Sequence, residues 1–235
     1  MKYRLLEAFA DLFCGKRYNH RRSQLGDHVA SFLYEDLFDL GRSAKLVERV
    51  RAAGAVLNTA NLTVGRTARR GDGTFGEAVP DQPSIEVGGY SVRRGRIAAV
   101  EIGAETKILA KAMIKQIDRV NNDLRTQADH FRTTSPNAIC VAIVGVNHAL
   151  EYVSVEGRRK FKTDGKHAKH PIQEAPDAIQ RLRSLALPRF DEFLLLPFSA
   201  TNVKPFPFDW INETELKAQY AAALTRISRE YEQRF

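Results

Sequence analysis

The N-terminal part of the chain spaces its apolar side chains as amphipathic helices do. Residues 3–13 and 24–53 repeat apolar positions three and four residues apart, which places them on one helix face. In the second segment this stripe consists of Leu25, Val29, Phe32, Leu33, Leu37 and Leu40. The pattern therefore predicts a helical N-terminal part over residues 1–53.

From residue 96 onward, short apolar runs alternate with longer amphipathic segments. The predicted strands cover residues 96–103, 137–147 and 191–198. The predicted helices cover residues 105–132, 172–187 and 213–234. Strands that alternate with helices indicate βαβ units, and right-handed crossovers place the helices on the faces of the sheet. We therefore predict an α/β fold with a mixed central sheet flanked by helices.

Two segments differ from this regular alternation. Residues 65–96 hold most of the glycines together with many arginines, and they predict turns and short strands after a β-leaning stretch at 55–64. Residues 153–171 are dense in Arg, Lys and His and predict an exposed basic loop or hairpin. The length of 235 residues favours one domain over residues 1–235, with the α/β core over 55–235.

The excess of basic residues indicates which classes of molecule the protein could bind. A formal net charge of +8 favours polyanions, either nucleic acid or an acidic membrane surface. No apolar run is long enough to span a bilayer, and two cysteines, Cys14 and Cys140, do not make a disulfide framework, so we expect a cytoplasmic protein without a membrane partner. Walker, dinucleotide-binding and Gly-x-Ser-x-Gly motifs are missing from the sequence, which disfavours those enzyme classes.

Several acids stand where a hard cation could bind. Glu101 lies inside the apolar run AAVEIG, and a buried carboxylate needs a hydrogen-bonding partner, a counter-charge or a metal ion. Asp72 lies between glycines in RRGDGTFGE, and Glu105 and Lys107 follow Glu101 closely. Carboxylates of this kind are what Mg²⁺ prefers. The simpler interpretations remain open: Glu101 faces solvent or pairs with an arginine, and Asp72 is an Asp-Gly turn residue.

An acid in a turn-rich segment, a strand that ends in Glu-x-Lys and a helix that carries a Gln form the layout of the PD-(D/E)xK nucleases. Residues 55–147 resemble that layout, with Asp72, Glu101 and Gln116 at the matching positions. The resemblance implies a restriction-endonuclease-like core, Mg²⁺ as cofactor, DNA as partner and endonuclease activity, as in a restriction or defence enzyme. It also implies a homodimer, because a double-strand cut needs two sites.

The sequence departs from this layout at Gly103, where the family has a lysine. In one interpretation, which we prefer here, Lys107 or Lys111 reaches the site from the following helix, since ILAKAMIKQIDRV has a helical pattern and Glu105 suits a first turn. In the other, Glu105-Thr106-Lys107 is itself the motif. The prediction is thus catalysis by Asp72, Glu101 and Lys107, with Asp72, Glu101 and Glu105 as metal ligands.

Two other functions are compatible with the sequence. The missing lysine at position 103 favours a non-catalytic nucleic-acid-binding protein on the same fold. An unrelated α/β enzyme acting on a small polar substrate is the third possibility. For either kind of nucleic-acid protein, phosphate contacts are predicted from basic residues near the acids and in the basic loop. These residues are Arg69, Arg70, Arg94, Lys111, Arg158, Arg159 and Lys160.

Overall fold

The computed structural model contains a mixed seven-stranded sheet with helices on both faces. It describes residues 2–22, 24–58, 71–155 and 170–235, together with the backbone of residues 160–161. The strands of the main sheet are β1 (Ala55–Asn58), β2 (Gly73–Ala78), β3 (Arg94–Gly95), β4 (Ile97–Leu109), β5 (Ile139–Asn147), β8 (Glu192–Ala200) and β9 (Phe208–Trp210). A separate antiparallel pair is formed by β6 (Tyr152–Val153) and β7 (Lys160–Phe161).

The strand order in the sheet is β3-β1-β2-β4-β5-β8-β9. Strands β4, β5 and β8 run parallel to one another, while β2 pairs antiparallel with both β1 and β4. The carboxyl ends of β4, β5 and β8 therefore meet the amino end of β2 at one edge of the sheet. In α/β proteins, binding and catalytic groups gather at the carboxyl ends of parallel strands.

Six α-helices and a single 3-10 turn (Leu187–Arg189) accompany the strands in the described residues. The helices are α1 (Arg4–Asp11), α2 (Gln24–Leu40), α3 (Ala44–Arg51), α4 (Met113–Thr134), α5 (Pro171–Leu185) and α6 (Glu213–Arg234). Helices α1, α2 and α6 share one apolar core with alternate residues of β5, including Val141 and Ile143. Helices α4 and α5 pack against the intervening residues, including Ala142 and Val144, so the two helix groups cover opposite faces.

The predicted single helix over residues 24–53 is wrong: it consists of two helices, α2 and α3. Gly41 ends α2 with φ of 65°, in the left-handed region where glycine has no steric penalty. Ser43 then begins α3, because its Oγ accepts a hydrogen bond from the N–H of Leu46 and so caps the helix. The break allows α3 to pack against both α6 and β1.

The predicted boundary between the strand at 96–103 and the helix at 105–132 is also wrong. Strand β4 continues to Leu109, and α4 begins only at Met113. The extension is held by parallel pairing with β5, which runs from Ile102 opposite Ile139 to Leu109 opposite Val146. Glu105 and Lys107 therefore lie in the strand, and Lys111 lies in the connection that follows it.

The coarser prediction is confirmed, because the protein has a mixed α/β architecture with helices flanking a central sheet. The predicted strand at 137–147 and the helices at 172–187 and 213–234 correspond to β5, α5 and α6 within a few residues. Among the residues that the structure describes, no helix has the length and apolar character needed to cross a membrane.

Candidate active site

Asp72 lies at the sheet edge where β2 begins and β4 ends. It precedes Gly73, which pairs with Ala104, so the antiparallel register brings Asp72 beside Glu105. Asp72 Oδ2 accepts a hydrogen bond of 2.8 Å from the N–H of Thr106, the residue after Glu105. This bond fixes the carboxylate against strand β4 in a defined position.

Glu105 and Lys107 lie on the same face of β4, because side chains two residues apart in a strand point the same way. Lys107 Nζ lies 2.7 Å from Glu105 Oε1. Glu105 is buried, whereas the side chain of Lys107 is 26 % exposed, so the pair lies at the boundary between the core and solvent. Strand β4 thus brings an acid and a lysine together next to Asp72.

The surroundings of Asp72 favour its protonated form. Burial, and then the negative charge of Glu105, raise the pKa of Asp72 to about 7, against the opposing effects of the Thr106 N–H and Lys107. For Lys107, burial acts to lower the pKa, but the negative charges of Glu105 and Asp72 outweigh it and the pKa is raised. Lys107 is therefore a firmly charged cation beside two acids that repel each other.

Helix α2 closes one side of this cluster. A β-carbon at position 26 would lie 2.7 Å from Asp72 Oδ2, so only glycine permits this approach of the first turn of α2. The neighbouring Asp27 adds a negative charge that raises the pKa of Asp72 further. The N-terminal end of α2 carries the positive end of the helix dipole, which partly offsets these acids.

The structure does not bring Asp72 and Glu101 together, because the register places Asp72 beside Glu105, four residues along β4 from Glu101, and a β-bulge interrupts the side-chain alternation at Glu101. Phe75 pairs with Ile102 and Gly76 pairs with Val100, which leaves Glu101 as the extra residue of β4. Its carboxylate instead accepts hydrogen bonds from Arg49 of α3 and Tyr231 of α6.

Side chains of the protein therefore provide both the counter-charge and the hydrogen bonds that the buried carboxylate of Glu101 needs. Burial raises the pKa of Glu101, while the hydrogen bond from Tyr231 and the charge of Arg49 oppose that rise. Glu101 is 2 % exposed and ties α3, β4 and α6 together. The pairing with an arginine, which the sequence left open, is the one that the structure contains.

Comparisons of the chain with protein-family models, with curated proteins and with solved structures find no match. The cluster formed by Asp72, Glu105 and Lys107 is therefore the feature that bears on function.

Position 103 lies on the same face of β4 as Glu105, against helix α4. A β-carbon on Gly103 would lie 2.5 Å from the ring of Phe131, so the packing of α4 requires glycine there. A lysine at this position would collide with Phe131. The missing lysine is thus explained by helix packing, and in β4 it is Lys107 that follows an acid, Glu105, by two residues.

The structure places Gln116 and Arg94, which were also predicted to belong to the site, in contact with other parts of the protein. Gln116 lies in the first turn of α4, where its Nε2 donates to the carbonyl of Lys111 at 2.8 Å. Arg94 lies in the edge strand β3, level with Ile102 rather than with Lys107, and its guanidinium stacks on Tyr90 and lies 3.9 Å from buried Glu35. Arg94 is therefore engaged within the protein. Two other acids of the turn-rich segment, Glu77 and Asp81, could also have supplied the acid at this position in the motif, but they lie at or beyond the far end of β2 from Asp72.

Several predicted phosphate contacts lie outside the described residues. Arg69, Arg70, Arg158 and Arg159 lie outside the described residues, and for Lys160 only the backbone is described. That backbone pairs with Val153 in an antiparallel arrangement, as expected for a hairpin at this point.

One basic segment beside the site was not predicted from the sequence. The loop formed by residues 15–22 (GKRYNHRR) connects α1 to α2 and contains four Lys or Arg residues and no acid. Tyr18, at its centre, is close enough to Asp72 for that negative charge to raise the tyrosine's pKa, in addition to the effect of burial. The signal was present as a run of basic residues between two predicted helices.

The donor set suits a hard cation better than a soft one. Among the described residues, no group of three or more His, Cys, Asp and Glu side chains is arranged to hold a metal ion. Asp72 and Glu105 offer two carboxylates, and Mg²⁺ is commonly bound through one or two carboxylates with waters and phosphate oxygens completing its shell. The mutual repulsion of these two acids is what a divalent cation would relieve.

Proposed function

We propose that the chain is a Mg²⁺-dependent DNA endonuclease that hydrolyses phosphodiester bonds with Asp72, Glu105 and Lys107. The observation that carries the proposal is the meeting of these three side chains at the carboxyl end of β4. Two carboxylates and a lysine provide the ligands for a hard cation and a positive charge next to it.

The arrangement supports membership of the PD-(D/E)xK nucleases with a restriction-endonuclease-like core. Asp72 precedes β2, Glu105-Thr106-Lys107 occupies the last part of β4, and Gln116 follows in α4. This order matches an acid in a turn-rich segment, a strand ending in Glu-x-Lys and a helix carrying a glutamine. Of the two interpretations of the motif, the geometry favours Glu105-Thr106-Lys107 over Glu101 with a distant lysine.

Asp72 and Glu105 would hold the cation, and Glu101 is not part of this proposal. When bound, Mg²⁺ stabilises the negative charge that develops on the phosphate and lowers the pKa of a coordinated water. Asp72 is oriented for this role by the Thr106 N–H, and Glu105 is oriented by Lys107. Such positioning by fixed partners keeps the ligands in place without reorganisation during the reaction.

Lys107 would orient the attacking water or donate to an oxygen of the scissile phosphate. Its raised pKa keeps the ammonium group charged at neutral pH. An ammonium group acts as a compact point charge toward phosphate. The motive for a non-catalytic binding protein was the missing lysine at position 103, and the presence of Lys107 two residues after Glu105 weakens that alternative.

The proposal is tested by incubating the purified protein with supercoiled plasmid in Mg²⁺ or in EDTA. We expect nicked or linear product in Mg²⁺, none in EDTA, and none from the variant Asp72→Asn. A matched RNA substrate determines whether the activity extends beyond DNA. Failure of the wild-type protein to cut any nucleic acid in Mg²⁺ would overturn the proposal. A homodimer is expected if both strands are cut together.

A further inference from the structure

The loop of residues 15–22 is held rigidly although most of its side chains face solvent. Tyr18 is buried, its ring stacks on Phe13 at 4.5 Å between centroids, and its N–H donates to Asn202 Oδ1 at 2.7 Å. Asn202 Nδ2 also donates to the carbonyls of Tyr18 and Val153. The Gly15 N–H donates to the carbonyl of Phe206. The loop is therefore anchored to the connection that follows β8.

The anchored tyrosine separates two exposed groups of cations. Lys16 and Arg17 lie before it, and Arg21 and Arg22 lie after it, all exposed. A loop that fixes its centre and projects cations on both sides loses little conformational entropy when those cations bind a ligand. This arrangement suits an extended anion with regularly spaced charges better than a single small ion.

The position of the loop links it to the acids of the site. The charge of Asp72 acts on Tyr18, and the charge of Lys16 acts on His28 in the second turn of α2. Helix α2 begins at Gln24, two residues after Arg22, and its first turn contacts Asp72 through Gly26. A site containing Asp72, Asp27 and Glu105 repels a phosphate backbone, and nearby cations offset that repulsion within a Debye length of about 10 Å at 0.1 M salt.

From this placement we infer that the loop of residues 15–22 binds the sugar–phosphate backbone of the nucleic acid beside the bond that is cut. The inference rests on the proposed function for the identity of the ligand. An acidic membrane surface is the competing partner for a basic loop, but adjacency to a site suited to phosphodiester chemistry favours nucleic acid. Phosphate contacts of this kind position a strand without reading its sequence.

The test compares two triple variants in binding to a fluorescein-labelled DNA duplex, measured by anisotropy in EDTA so that no cleavage occurs. The loop variant is K16A/R17A/R22A. The control variant is R51A/R96A/R189A, which removes the same charge from exposed residues that precede β1, β4 and β8, at the opposite edge of the sheet. Thermal melts establish that both variants are folded, as expected for exposed side chains.

We expect the loop variant to bind at least tenfold more weakly at about 0.1 M salt, with the slope of log K against log salt reduced by up to about three. The control variant should keep most of the wild-type affinity. Equal affinities for the loop variant and the control would overturn the inference, as would a loop variant that loses binding only to vesicles of anionic lipid.

Cleavage assays separate this inference from the proposed function. Wild-type protein that cuts DNA in Mg²⁺, with a loop variant that binds as well as the control, would overturn the inference alone. Wild-type protein that binds through the loop but does not cut would support the inference and overturn the nuclease. Absence of any binding and of any cleavage by the wild type would overturn both.

Discussion

At the scale of single residues, the two buried acids of strand β4 differ in their surroundings: Glu101 accepts hydrogen bonds from two side chains, whereas Glu105 also lies beside a second acid. Glu101 is paired with Arg49 and Tyr231 inside the protein. Glu105 is paired with Lys107 and also lies beside Asp72, whose negative charge it repels. A buried acid that is fully paired contributes to the fold, whereas repelling acids at a sheet edge are typical of functional sites.

Replacing Asp72 by Asn should stabilise the metal-free protein. The pKa of Asp72 in the folded state, about 7, exceeds its ordinary value of 3.8, so folding favours the protonated form. The stability associated with this group is therefore full below about pH 4 and lost as the pH rises through 7. At pH 8 in EDTA we expect Asp72→Asn to raise the free energy of unfolding by roughly 1–3 kcal/mol.

Urea unfolding measures this effect. The control is Asp118→Asn, which removes an exposed acid paired with Arg181 and should change stability by less than about 0.5 kcal/mol. The gain from Asp72→Asn should shrink as the pH is lowered toward 4. A loss of stability at pH 8 would mean that Asp72 is a structural acid.

Glu101→Gln should have the opposite effect on stability. Gln cannot accept from both Arg49 and Tyr231 as a carboxylate does, and the change leaves the charge of Arg49 without its partner. We expect the free energy of unfolding to fall by about 1–3 kcal/mol, since Arg49 is partly exposed and solvent screens part of the effect. Glu86→Gln, which also removes an acid paired with an arginine but at the surface, is the control and should be nearly neutral. Equal effects of the two changes would contradict the structural role of Glu101.

Lys107→Ala should lower the cleavage rate in Mg²⁺ by roughly a hundredfold or more, as expected for the loss of one electrostatic catalyst. Lys111 lies four residues further along, beyond the end of β4, and Lys111→Ala should change the rate only a few-fold. Single-turnover cleavage with enzyme in excess separates this effect from substrate binding. A larger loss in Lys111→Ala than in Lys107→Ala would move the catalytic cation to the connection before α4.

At the scale of elements, the sequence pattern predicted a helix in residues that form the second half of strand β4. Residues 105–112 have helix-forming composition and lysines spaced four apart, yet pairing with β5 holds them extended to Leu109. Tertiary pairing overrides weak local propensity in such segments. The alternation of Glu105, Thr106, Lys107 and Ile108 also has the period of a strand, and that signal was available in the sequence.

Other parts of the fold were predictable because their signals were local and strong. The continuous apolar run of β5 and the long amphipathic helix α6 follow directly from the sequence. The site was predictable in its residue types, since Asp72, Glu105 and Lys107 were all candidates. Which acid lies beside Asp72 was not predictable, because it depends on the register between β2 and β4, which no local pattern encodes.

The first turn of helix α1 is capped by an acid of helix α2. Asp36 of α2 accepts hydrogen bonds from the backbone N–H groups of Arg4 and Leu5, which are among the unpaired donors at the start of α1, and from the hydroxyl of Tyr220. Asp36→Asn replaces one acceptor oxygen by a donor, and we expect it to lower the free energy of unfolding by roughly 1–3 kcal/mol. Asp39→Asn, which removes an exposed partner of Arg4, should have an effect below about 1 kcal/mol in the same urea titration. Equal effects would show that Asp36 does not hold α1.

At the scale of the whole molecule, the candidate site and the charged residues that are paired within the protein lie in different parts of the sheet. The edge formed by the ends of β4, β5 and β8 carries Asp72, Glu105 and Lys107, with the basic loop of residues 15–22 beside it. Arg94 in the edge strand β3 and Glu101 at the bulge of β4 lie away from this group, and both are engaged with the protein's own side chains. The loop of residues 15–22 places four exposed cations, Lys16, Arg17, Arg21 and Arg22, next to the acids of the candidate site.

The most direct test of this account is the rate of plasmid cleavage in Mg²⁺ by Glu105→Gln compared with Glu101→Gln, at equal concentrations of folded protein. If Glu105 holds the cation with Asp72, Glu105→Gln should lose at least roughly a hundredfold in rate, and Glu101→Gln should stay within about tenfold of the wild type. An inactive Glu101→Gln variant beside an active Glu105→Gln variant would contradict the assignment and return Glu101 to the site.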